Sequence, residues 1–392
     1  MIQNVVTGKF EAKRLIHMKI AIVGTQGVPN HYGGFETLAT FLAEHLSEQI
    51  DMTIYCSSFD QPHRPSQFCK ATLRYIPFSS HGFAGMLYDM ISLYEAVKKN
   101  DVVLLLGLGA GYLLPFLPKK KRQKIILNFG GLDWKRDKWA LPAKKVIHIS
   151  EGLLVKNIPH IVADNRAIQQ YIESNYHKKS TMIAYGGDQA FPVALTEKDI
   201  ELYPFLQHPY AFSVCRIQSD NQIELLLASF AQTSMPFVLV GNWSSSSFGR
   251  KIREKYQSIQ HLHMLDAIYE PIALNKLRSN CKIYMHGHTA GGTNPSLVEA
   301  MYLGLPIAAY SSAYNESVTL EKAVYFTDLS SLVDLINNID TLDLQAIGNE
   351  METIAKADYT WSKIIDHYYQ LFIAVGKAPG FSKIEMNEYE IL

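Results

Sequence analysis

The 392-residue chain is short of cysteine, of long apolar runs and of net charge, and each shortage excludes something. Its four cysteines, Cys56, Cys69, Cys215 and Cys281, stand far apart with no metal-ligand or redox spacing. A disulfide scaffold and a zinc module are thereby excluded, and reduced cytosolic thiols are expected. No apolar run approaches the roughly 20 residues that a membrane-spanning helix needs. Residues 1–17 lack the apolar core of a signal peptide, so the fold is expected to begin at Met18, with 1–17 as a disordered extension or a misplaced start. No internal repeat, low-complexity segment or nucleic-acid module occurs, so nucleic acid is not an expected partner.

Net charge is zero, yet it is unevenly spread. Residues 1–190 carry 23 Lys and Arg against 15 Asp and Glu, and the remainder carries the opposite imbalance, 14 against 22. The basic clusters are Lys119-Lys120-Lys121-Arg122 with Lys124, and Lys135-Arg136 with Lys138, Lys144 and Lys145. A chain polarised in this way can rest its basic half on an anionic membrane face, although a solvated surface explains the same charges.

The length suits two domains, and 47% hydrophobic residues suit large cores. Strand-like and helix-like segments alternate from Lys19 onward, which predicts parallel sheets with crossover helices. Strands are expected at 19–24, 52–56, 72–76, 102–106, 124–128, 146–149 and 160–163, with helices at 36–49, 85–100 and 165–174. The segment 186–209, with its Gly-Gly pair and three prolines, reads as a connection. A second series follows, with strands at 210–214, 236–240, 261–264, 281–285 and 307–310 and helices at 222–231, 248–258 and 270–279. An aromatic-rich helix at 361–375 closes it. The expected fold class is thus α/β, two doubly wound domains facing a central cleft at the carboxyl ends of their strands.

Four constellations carry chemistry. The richest runs His286-Gly287-His288-Thr289-Ala290-Gly291-Gly292-Thr293-Asn294-Pro295-Ser296-Leu297-Val298-Glu299. It reads as a strand end, a glycine loop and a helix capped by Asn294 with Pro295 at its first position. Such a loop offers free backbone N–H groups and the positive end of a helix to a phosphate, with Glu299 about one and a half turns along. A tight turn whose glycines serve only packing is the plain alternative. His286 and His288 fall on one side of an extended segment, but no third ligand stands near, so no metal is expected. Arg216 ends another strand, where its forked donors can clamp a diphosphate or satisfy a surface carboxylate, and Asn221 opens the next helix. Gly24 to Glu36 follows the first strand without dinucleotide-fingerprint spacing; its Gly33-Gly34 pair offers amides or serves as a hinge. In Gly130-Gly131-Leu132-Asp133-Trp134-Lys135-Arg136, Asp133 and Trp134 can bond to and stack on a sugar, or form an ordinary turn and core pair.

Taken together, these residues resemble the two-domain GT-B glycosyltransferases of family 4, and more narrowly its bacterial polysaccharide rhamnosyltransferases. The resemblance runs from Met18 to about Phe372 and rests on three stretches. They are Ile20 to Pro29 with Tyr32-Gly33-Gly34-Phe35-Glu36, Gly131 to Arg136, and His286 through Ala300. It implies an acceptor-binding domain over 18–190, a linker over 191–209, a nucleotide-sugar domain over 210–360, a closing helix over 361–376 that crosses back to the first domain, and a tail over 377–392. It also implies retaining transfer, usually ascribed to attack on the leaving-group face, from a nucleotide sugar with no cofactor and no obligatory metal. Asp133, Arg216 and Glu36 are then expected at the reacting centre. Gly33, Gly34, Asn221, His288, Gly291, Gly292, Thr293, Asn294 and Glu299 are expected at the donor, and Trp134 and Lys135 at the acceptor.

Two departures narrow the expectation. Where the family commonly has a glutamate eight positions before Glu299, this chain has Gly291; where it commonly has a lysine five positions after the arginine, this chain has Asn221. Both fit the rhamnosyltransferase-like branch. The implied activity is transfer of L-rhamnose from dTDP-rhamnose to a lipid-linked saccharide in surface polysaccharide synthesis, on the cytoplasmic face of the plasma membrane. A UDP- or GDP-hexose donor and a non-catalytic sugar-nucleotide-binding subunit are the alternatives.

Overall fold

The computed structural model describes residues 18–29, 33–61, 63–136 and 139–376. The expected extension 1–17, the tail 377–392, Tyr32 of the first glycine motif and Lys138 of the basic cluster lie outside the described residues.

The first half of the chain supplies β1 (Lys19–Val23), α1 (Gly34–Leu46), β2 (Asp51–Ser57), β3 (Gln67–Phe68), β4 (Ala71–Ile76), α2 (Gly82–Lys99) and β5 (Val102–Leu106). It continues through α3 (Lys119–Arg122), β6 (Ile125–Asn128), α4 (Leu141–Asn157), β7 (His160–Ala163), α5 (Arg166–Tyr176) and β8 (Thr181–Met182). Its sheet has the order β3-β4-β2-β1-β5-β6-β7-β8, parallel except for the β3–β4 pair. After α6 (Glu197–Leu202) the second half gives β9 (Ala211–Val214), α7 (Ile223–Phe230), β10 (Phe237–Val240), α8 (Ser247–Tyr256), β11 (Leu262–Leu265), α9 (Pro271–Ser279) and β12 (Ile283–His286). There follow α10 (Pro295–Tyr302), β13 (Ile307–Tyr310), α11 (Ala313–Val318), β14 (Val324–Phe326), α12 (Leu329–Asn337), α13 (Leu344–Asp358) and α14 (Trp361–Gly376). This sheet is wholly parallel, in the order β11-β10-β9-β12-β13-β14. Central strands such as β5, Val-Val-Leu-Leu-Leu, are buried along their whole length, as a parallel strand covered on both faces must be.

Strand order reverses direction between β1 and β5 in one sheet and between β9 and β12 in the other. At such switch points the loops leaving neighbouring strands diverge and open a crevice at their carboxyl ends. The sequence motifs sit there: Gly24 follows β1, Arg216 follows β9, and the His286 loop follows β12. The expected α/β class with two doubly wound domains is what the chain adopts.

The closing helix α14 returns to the first domain, as expected. Trp361 stacks on Phe41 of α1 at 4.1 Å between ring centroids, and Asn128 of β6 donates to the Tyr368 hydroxyl at 2.7 Å. One apolar cluster therefore runs from Ile20 and Leu104 through Trp361 and Tyr368 to Leu297 and Phe212 of the second sheet.

Two expectations are corrected. Residues 146–149, read as a strand, lie inside α4. Short apolar runs do not distinguish strand from helix, and the buried positions Ser150, Glu151, Leu154 and Val155 recur at helical spacing. The segment 191–209 is also more than a linker. Thr196 and Asp199 form a capping box that starts α6. Asp199 then receives Lys276 of α9 at 2.7 Å, so the segment is fastened to the second domain. The two glycines just before it are packing positions: a Cβ on Gly186 would press into the Trp361 indole, and one on Gly187 would strike the α10 backbone at Val298. From 311 to 360, where the sequence reading is silent, the structure holds α11, β14, α12 and α13.

Candidate functional site

Both switch points open into one cleft of about 900 Å³ between the two sheets. Gly33, Gly34, Glu36 and Asp133 line it from the first domain, and Arg216, Asn221, His288, Gly291, Gly292, Thr293, Asn294 and Glu299 from the second.

On the second-domain wall, Asn294 caps α10 by accepting from the Ser296 N–H at 3.1 Å, and Pro295 takes the first turn, where its missing N–H is not needed. Gly291 adopts φ of +140°, and the space a side chain would enter there is open. The preceding loop is held by the Thr289 N–H on the Asp220 carbonyl and by Asn315 on the His288 carbonyl, at 3.0 and 2.9 Å. The His286 and His288 rings stack with centroids 4.3 Å apart. Burial, then the charges of Arg136 and Arg216, push His288 down to about 3, so it meets a ligand as a neutral ring. Glu299 accepts from Gln189 at 2.5 Å through one oxygen and pairs with the buried Arg278 through the other. Asn221 turns its amide N–H to the Arg216 carbonyl at 2.7 Å, so it shapes the loop that carries the arginine.

On the first-domain wall, Glu36 stands in the first turn of α1 and accepts from the Gln26 N–H at 3.1 Å, which ties the loop after β1 to the helix. Gly33, with φ of +121°, leaves room for Glu36 and for Arg216, whose Nη2 would lie 3.2 Å from a Cβ there. The expected residues Gly33, Glu36 and Arg216 thus meet across the cleft. Asp133 is 45% exposed on a 3-10 turn, 3.5 Å from Arg136. Trp134 and Lys135 do not line the cleft. Trp134 packs on His148 of α4 at 4.5 Å between centroids, with Lys135 over its ring, and Trp139 faces the cleft in its place.

The domains touch at further points that sequence reasoning missed. Gly131 abuts Gly291, where a Cβ would be 3.2 Å from the opposing Cα. The Thr293 hydroxyl donates to the Asp164 carbonyl, and a Cβ on Gly292 would collide with the Asp164 carboxylate. Arg136 pairs with Asp220 at 2.7 Å. These pairs join residues 129 and 84 positions apart, so no local pattern announces them. Asp89 of α2 was also missed; it lines the cleft beside Gly109, and burial pushes it up to about 8.

Asp164 gives a test of this contact. Burial raises its carboxyl from an ordinary 3.8 to about 8, against weaker opposing hydrogen bonds that include the Thr293 N–H. Below about pH 4 folded and unfolded chains both hold the proton. Between about 4 and about 8 only the folded chain does, so stability falls as pH rises, by about 1.4 kcal/mol per unit for one group, and levels off above that window. Asp164→Asn is expected to flatten the fall of unfolding free energy across pH 4–8. Parallel pH profiles for both proteins would refute the assignment.

Residues 17–188 match a family profile described as a domain of unknown function, DUF1972. No curated protein matches the chain. Among solved structures, it is similar to sucrose-phosphate synthase from Thermosynechococcus elongatus, at 16% identity and a TM-score of 0.73, over 91% of this chain and 100% of that one. It is similar to Anabaena HepE in complex with UDP-glucose, at 15% identity and 0.69, over 91% and 100%. It is also similar to the trehalose-6-phosphate structure from E. coli bound with UDP-2-fluoro glucose, at 11% identity and 0.65, over 92% and 99%. The two-domain architecture they share with this chain is the GT-B fold.

Proposed function

We propose that this chain is a retaining glycosyltransferase that moves a sugar, L-rhamnose from dTDP-rhamnose, to a lipid-linked saccharide in bacterial surface polysaccharide synthesis. The observation that carries the proposal is the meeting of Arg216, the capped glycine loop of α10 and Glu299 with the Gly33–Glu36 turn across a single cleft. Breaking a bond to a diphosphate leaves charge on the departing oxygen, and preorganised donors and cations stabilise that charge without a protein nucleophile. Arg216 and the amides near Gly291, Gly292 and Thr293 supply them, Glu299 takes the nucleotide sugar ring, and Asp133 and Glu36 face the reacting sugar. The scheme gives no metal a role.

The acceptor side rests on surface chemistry. Phe83, Leu87, Ile91 and Tyr94 are exposed along α2 at spacings of four, four and three, which is one helical face, and Phe83, at 75% exposure, also lines the cleft. Leu141 and Ile149 are exposed on α4 beside Lys144 and Lys145. An apolar stripe set among cations suits the headgroup boundary of an anionic leaflet. Among the described residues, no helix is long and apolar enough to cross a membrane. The stripe and the cations of α4 support the reading of a peripheral protein on the inner face of the plasma membrane. Leu87→Glu with Ile91→Glu is expected to weaken binding to vesicles containing phosphatidylglycerol about tenfold or more, because each side chain, already more than half buried, gains only part of the about 1.5–3 kcal/mol of full burial. Equal sedimentation of variant and parent would remove the stripe from the membrane.

A UDP-hexose donor is the second reading, favoured by the UDP-glucose seen in the HepE structure. Incubation with dTDP-, UDP- and GDP-sugars and a lipid-linked acceptor separates the readings. Release of dTDP supports the first and release of UDP alone the second. Nucleotide binding without turnover would point to a non-catalytic subunit.

A further inference from the structure

The glycosyltransferase reading leaves a charge unaccounted for. A diphosphate leaving group carries at least two negative charges, and the position five after Arg216, where a lysine would help, is Asn221. Its side chain is occupied in holding the Arg216 carbonyl. The second domain therefore brings Arg216 to this point of the cleft without that lysine.

A second cation stands there from the other domain. Arg136 lines the same cleft with its side chain 19% exposed. Its charge and that of Arg216 both bear on His288 of the second-domain wall. Asp220, one residue before Asn221, accepts from Arg136 Nε at 2.7 Å, and Gln218 accepts from Nη2 at 3.3 Å. Asp133 lies 3.5 Å from Nη1 and is far more exposed than Asp220, so this edge of the guanidinium is the loosely held one. An arginine anchored through Nε keeps a terminal edge for phosphate oxygens. Asp220 also accepts the Thr289 N–H and hydroxyl through its carbonyl, so the residue that anchors Arg136 also anchors the donor loop.

We propose that Arg136 is the second cation of the diphosphate site, contributed by the first domain in place of the charge that position 221 lacks. The inference rests on the glycosyltransferase reading and sharpens it, because a site with one arginine on each wall is complete only when the walls are together. Nucleoside diphosphates then bind the joined domains, while a nucleoside monophosphate, reaching less of the site, gains less from Arg136.

Calorimetry on the full chain with dTDP, UDP and their monophosphates tests this. Arg136→Gln alone leaves Asp220 buried without its partner, so the informative comparison is Asp220→Asn against Asp220→Asn with Arg136→Gln, which differ only in the cation. Loss of the arginine is expected to weaken diphosphate binding about 10- to 100-fold, the range for a charge-assisted contact, and monophosphate binding less than about threefold. Arg136→Lys, which keeps charge without the fork, is expected to lie between. Equal loss for both nucleotides would make Arg136 a tie between domains only, and no loss would remove it from the site. Either result would overturn the proposal while leaving the glycosyltransferase reading intact. Failure of the unaltered chain to bind any nucleotide would instead bring down that reading, and this one with it.

Discussion

Gly187→Ala is expected to lower the unfolding free energy by about 2–3 kcal/mol, the upper range for overpacking, and to weaken nucleotide binding at the same time. The backbone at Gly187 is pinned by its N–H on the Tyr359 carbonyl at 2.8 Å. An added Cβ would stand 2.5 Å from the Val298 carbonyl carbon and 2.9 Å from the Glu299 nitrogen, and closer still to the Val298 oxygen. All of these are main-chain atoms inside α10, so no rotamer change relieves the clash. Either α10 moves or the connection between domains does. Glu299 rides on that turn and is aligned by Gln189, two residues beyond Gly187, so both partners of its hydrogen bond are displaced together. Urea midpoints and nucleotide affinity measured on one preparation check this; parental values of both would show that the contact is slack.

Arg216→Ala is expected to reduce kcat by on the order of 100-fold, about 3 kcal/mol, if the arginine acts on the leaving diphosphate as an oxyanion-type donor does. The side chain reaches from the second domain to the Gly33 turn of the first, so truncation removes charge where the two walls meet. Donor KM is expected to change less than kcat, because the charge on the leaving group grows as the bond breaks. Unchanged kinetics in a folded variant would remove Arg216 from the site.

These residues were legible in the sequence for a physical reason. In a doubly wound sheet the ligand crevice lies at strand ends, and Gly24, Arg216 and His286 each follow or close an apolar strand that periodicity reveals. Asn294-Pro295 before an apolar run likewise fixed the start of α10 within a residue. What was hidden depends on the other domain or on side-chain direction. Asp164 and Gln189 acquire their partners, and Arg136 its Asp220, only when distant segments meet. Trp134 looked like a sugar platform from its neighbours, but its ring turns to His148, and Trp139, five residues on, takes the cleft. Residues 146–149 misled because a helix beside the cleft can carry the apolar run of a strand. The capping box at Thr196 stands in a segment whose prolines read as a connection.

The return of α14 has a consequence for the order of synthesis. Trp361 and Tyr368 cover α1 and β6, and a Cβ on Gly376 would press on Met18 and Val102 at the start of the first sheet. The second domain is thus spliced into the first, whose packing needs a helix that leaves the ribosome after the whole second domain. A fragment ending near residue 188 would leave the faces beneath Trp361 and Tyr368 bare. Covering those faces therefore takes two separated pieces of chain, and the seam between them stays open during synthesis until α14 emerges.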